Sequence, residues 1–69
     1  MTRLQRIRLE NDLELMASAV QELRSTLGTA MLFAPPWVVD GLVALNTDVR
    51  AMDRAVRVLM EGVQAWQSN

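Results

Sequence analysis

Residues 27–45 read LGTAMLFAPPWVVDGLVAL, and this stretch decides the fold. At its centre stand Ala34, Pro35 and Pro36. A residue that precedes proline is pushed out of helical geometry, and proline itself has no N–H to donate to the preceding turn. A helix arriving from the left therefore stops here. The same prolines suit the start of a new helix, because the first N–H groups of a helix have no partner in any case. One helix ends and another begins within a few residues.

Outward from this stop, apolar residues recur at alternating spacings of three and four. The first stripe is Leu9, Leu13, Met16, Val20, Leu23, Leu27 and Ala30. The second is Val38, Leu42, Leu45, Val49, Met52, Val56, Leu59, Val63 and Trp66. Such spacing lines up side chains along one side of a helix. The expected fold is all-α: an antiparallel two-helix hairpin, coiled-coil-like, forming one domain over 1–69. The first helix is expected over about 3–32, the turn over 33–36, and the second helix over about 36–66. Thr2 with Gln5 offers a capping box at the start. Gly28 is a possible stop, but Ala30 keeps the heptad phase and favours continuation. Asp40 falls early in the second helix, where a negative charge suits the helix dipole.

Two helices joined this closely must run antiparallel. Placing the turn at the centre makes residue i face roughly residue 70 − i. Arg24 then meets Asp48, and Glu22 meets Arg50. Glu14 meets Arg54 and Arg57, and Arg6 or Arg8 meets Glu61. Opposite charges pair along the whole hairpin.

Composition narrows the function. The chain has 69 residues, no Cys and no His. Disulfides, thiolate metal sites and the commonest general base are excluded. Glu10, Asp12 and Glu14 lie at alternate positions and do not share a helical face. Ser18 and Ser25 have no base near them in the sequence. The expectation is a protein without catalysis, cofactor or metal. The net charge of −1 argues against a general nucleic-acid binder. Arg3, Arg6 and Arg8 read as a solvated first turn balanced by nearby acids. No run approaches the length of a membrane span. Glu10, Asp12 and Glu14 stand where a signal peptide would need its apolar core. The expected location is the cytoplasm.

Apolar residues outside the stripes point to a partner. Leu15 lies off the first stripe, and Val58 off the second. Phe33, Trp37, Val39 and Val43 cluster around the turn. A hairpin that buries only its stripes leaves them in water, and contiguous exposed apolar surface usually marks an interaction site. These six are the candidate partner-binding residues, Trp37 foremost. Trp66 is set aside for the core. A chain of this size rarely holds together alone without disulfides or metal. The partner is either a second copy, giving a four-helix bundle, or a different protein.

The second helix carries a family resemblance. Arg50-Ala51-Met52-Asp53, followed by Ala55 and by Val58-Leu59, together with the Met1-Thr2 start, Leu4, a proline ahead of the second helix and the overall length, resembles the YscE/PscE/AscE family of small type III secretion co-chaperones. The resemblance implies a helical hairpin that pairs with a tetratricopeptide-like (TPR-like) chaperone and helps keep the needle subunit soluble. The alternative is a phage or plasmid accessory protein that homodimerises and sequesters a host regulator.

Overall fold

The computed structural model describes residues 2–67. Met1, where the resemblance starts, lies outside them. Two helices make up the fold: α1 over Arg3–Phe33 and α2 over Pro36–Gln67. They pack side by side as a helical hairpin measuring 50 × 14 × 13 Å.

Each end of α1 follows from local chemistry. The Thr2 hydroxyl accepts from the Gln5 N–H at 3.2 Å, and the Gln5 side chain accepts from the Thr2 N–H at 2.8 Å. This reciprocal box satisfies two donors that the first turn leaves free. The helix runs unbroken through Gly28, and Ala34 closes it in an extended conformation, φ −74° and ψ 140°. The Pro35 carbonyl then accepts from the N–H groups of Val38 and Val39 at 2.9 and 3.2 Å. Pro36 occupies the first position of α2. Asp40 lies one residue beyond the first turn, where no acidic residue is found. The dipole benefit expected of it falls off at that distance.

The register differs from the centred-turn expectation. Arg24 pairs with Asp53 at 3.7 Å rather than with Asp48. Gln21 donates to the same carboxylate at 3.3 Å. Arg57 reaches it along α2 at 3.3 Å, and Arg6 sits 4.0 Å from Glu10 on its own helix. The physical cause is the turn. Ala34 is extended and, with Pro35, carries the chain past the end of α1 before α2 turns back. Thus α2 is shifted by a little over one helical turn. The matched ladder of charges expected along the hairpin is replaced by one cluster on Asp53.

The core is narrow. Leu13, Val20, Leu27, Val49 and Val56 are the buried apolar residues, and Met31 packs against the Val20–Leu27–Val49 cluster. Within each helix the buried positions recur every seven residues. They belong to the apolar stripes, of which Leu9, Ala30, Val38, Leu42 and Val63 are partly buried. The rest are Met16 and Leu23 on α1, and Leu45, Met52, Leu59 and Trp66 on α2. These remain between 38% and 56% exposed. The stripes were expected to form the core whole, Trp66 included. Instead the line of contact is rotated toward Ala17, Arg24, Asn46 and Asp53, all of them partly buried.

Candidate protein-binding surface

The rotation creates a surface. Residues of an α-helix advance by about 100° each, so positions seven apart stay nearly in line. Set against the Leu13–Val20–Leu27 line, Met16 and Leu23 fall to one flank of α1, while Gln21 and Arg24 fall to the other. Against the Val49–Val56 line, Leu45, Met52, Leu59 and Trp66 fall to one flank of α2, with Asp53 and Arg57 on the other. The Gln21–Asp53 and Arg24–Asp53 contacts join the two polar flanks. In an antiparallel pair the remaining flanks then lie on the same side. One side of the hairpin is polar and its opposite side is apolar.

Register sharpens the picture. The Gln21–Asp53 and Arg24–Asp53 contacts bracket the antiparallel register, and the midpoint between them sets Leu23 roughly level with Met52. It sets Met16 level with Leu59, and Leu9 level with Trp66. Near the open end a small crevice of about 30 Å³ is lined by Leu13 and Glu14 of α1 and by Met60 and Val63 of α2, in keeping with this register. The apolar flank is therefore two helices wide and runs along most of the molecule. Asp12 and Asp48 are the charged residues at its border, with Arg8 and Glu22 farther round α1.

Beyond the border, α2 carries a shallow groove of about 490 Å³ lined by Ala51, Arg54, Ala55, Val58 and Leu59. Four of these stand at positions i, i+3, i+4 and i+7. That is the diamond into which a neighbouring helix inserts a side chain in knobs-into-holes packing. Here no side chain of α1 fills it.

The candidate residues read from the sequence do not come together. Leu15 and Val58 point outward from different helices, on opposite sides of the hairpin, and both are exposed. Phe33 and Trp37 flank the turn and are 82% and 80% exposed. Val43 is exposed and Val39 partly buried; they stack one turn apart at the start of α2. Val58 joins a larger feature as one wall of the α2 groove. The half-exposed stripe residues did not stand out in the sequence, because periodicity alone assigns them to the core.

A second feature was also missed. Arg24, Arg50, Arg54 and Arg57 gather round Asp53 and line an open groove of about 300 Å³ on the polar side. The signal was present in the sequence, as arginines at spacings of four and three in α2. The register that brings Arg24 among them was not.

No protein-family model, curated protein or solved structure matches the chain. Among the described residues no helix is long and apolar enough to cross a membrane. Nor do three or more His, Cys, Asp or Glu residues gather there as a metal-binding group.

Proposed function

We propose that this chain is a non-enzymatic protein-binding module of the cytoplasm, which works by docking the apolar flank of its hairpin on another polypeptide. One observation carries the reading. Leu23 and Met52 at the middle, with Met16, Leu45, Leu59 and Trp66 beyond them, form a continuous strip that the hairpin itself leaves in water. Apolar surface of this extent is costly to expose and is usually covered in use. The absence of His and Cys agrees with a role in binding rather than turnover.

The resemblance to type III secretion co-chaperones gives the partner a chemistry: a TPR-like chaperone, whose helical repeats offer a concave surface suited to a two-helix strip. Through that chaperone the hairpin would help keep a needle subunit soluble.

The test is capture from the native host with a tagged chain, followed by mass spectrometry of what is bound. The same capture is repeated with Leu23→Glu and Met52→Glu, each confirmed helical by circular dichroism. Loss of a specifically bound protein in both variants is the expected result. Equal capture by both folded variants overturns the reading.

A further inference from the structure

We propose that in the free protein the apolar flank is covered by a second copy of this chain, so that two hairpins form a four-helix bundle. The inference rests on the flank being the binding surface and names what occupies it.

Area is the first argument. The hairpin exposes 5477 Å² for a mass of 7.8 kDa. A compact monomer of that mass exposes about 4,400 Å². The surplus is about 1,100 Å², against roughly 800 Å² that each partner contributes to a standard stable interface. The excess surface is the size of one dimer interface.

Shape is the second argument. The flank is two helices wide, with Leu23 level with Met52 and Met16 level with Leu59. A single docking helix covers a strip one helix wide. A second pair of helices covers both edges. Another copy of this hairpin presents such a pair with the same seven-residue repeat, so its stripe side chains interdigitate with these.

Charge is the third. Arg24, Arg50, Arg54 and Arg57 gather on the polar side, around Asp53. Facing one apolar flank with another buries none of that cluster. The flank's border carries too few charges for a strongly acidic or basic partner to be selected there.

The experiment is sedimentation equilibrium of the untagged chain across the micromolar range. The expected mass is twice 7.8 kDa. Leu23→Glu and Met52→Glu should each raise the dimer dissociation constant at least about a hundredfold, because a buried unpaired carboxylate costs several kcal/mol. Leu32→Asp is the control, exposed and off the flank, and should leave the dimer intact. A second readout uses no flank substitution. In a Trp37→Phe background, acrylamide should quench Trp66 weakly when the protein is concentrated and strongly on dilution. A parent chain that is monomeric throughout, with Trp66 equally quenched at every concentration, overturns the second-copy proposal. It leaves the docking reading to its own capture test. A dimer that persists unchanged in folded Leu23→Glu and Met52→Glu variants also overturns the second-copy proposal, since its contact then lies elsewhere, and again leaves the docking reading to the capture test.

Discussion

Arg24 of α1 lies 3.7 Å from Asp53 of α2, and this pairing fixes the register of the hairpin. Asp53 is the more shielded partner and also meets Gln21 and Arg57. Because Arg24 is more than one-third exposed, solvent screens the pair, and its coupling should be about 0.2–1 kcal/mol. A double-mutant cycle with Arg24→Ala and Asp53→Ala, read by urea denaturation, measures it. Arg24→Ala combined with Asp48→Ala should be additive. Coupling to Asp48 larger than to Asp53 would restore the centred-turn register.

Val49 and Leu23 occupy equivalent places in the sequence pattern but different places in the molecule. Val49 is 0% exposed and Leu23 is 38% exposed. Val49→Ala should cost about 2–3 kcal/mol at any protein concentration. The cost of Leu23→Ala should be smaller in dilute solution and should grow with concentration as its flank is covered. Thermal melts at several concentrations separate the two. Identical, concentration-independent losses would place Leu23 inside the lone hairpin.

This contrast shows what the sequence made legible. The proline stop, both helices, the Thr2–Gln5 cap and the hairpin topology follow from local rules acting on neighbouring residues. The rotation of each helix does not. Periodicity defines a stripe, but which half of it faces the other helix depends on how Ala17, Arg24, Asn46 and Asp53 pack. The register was likewise hidden, because a centred turn ignores the rise through extended Ala34 to Pro35. The proposed docking flank depends on both quantities. Its residues read in the sequence as core, and only the outlying apolar residues read as candidates for a partner.

Gly28 sits inside α1 with an ordinary helical φ and nothing within 4 Å of where a Cβ would stand. Gly28→Ala should therefore stabilise the protein by up to about 1 kcal/mol, through helix propensity and a less flexible unfolded chain. The check is a rise in melting temperature with unchanged solution mass. A fall in stability would reveal a close neighbour at that position.

Pro35 and Pro36 enforce the reversal. With both replaced by Ala, little between Met31 and Val39 resists helix formation, and α1 should run on into α2. Circular dichroism should show increased helicity, and the hydrodynamic radius should rise as chains exchange helices. A double variant with unchanged helicity and radius would assign the turn to the packing of the helices instead.

The apolar flank is the centre of this account, and small-angle X-ray scattering on the parent chain tests it most directly. A lone hairpin has a Cα radius of gyration of 15.9 Å and a length of 50 Å. Two hairpins joined flank to flank should scatter as a particle of doubled mass whose longest dimension stays near 50 Å and whose cross-section thickens. A particle of 7.8 kDa with the dimensions of one hairpin, or a doubled mass drawn out end to end, would contradict it.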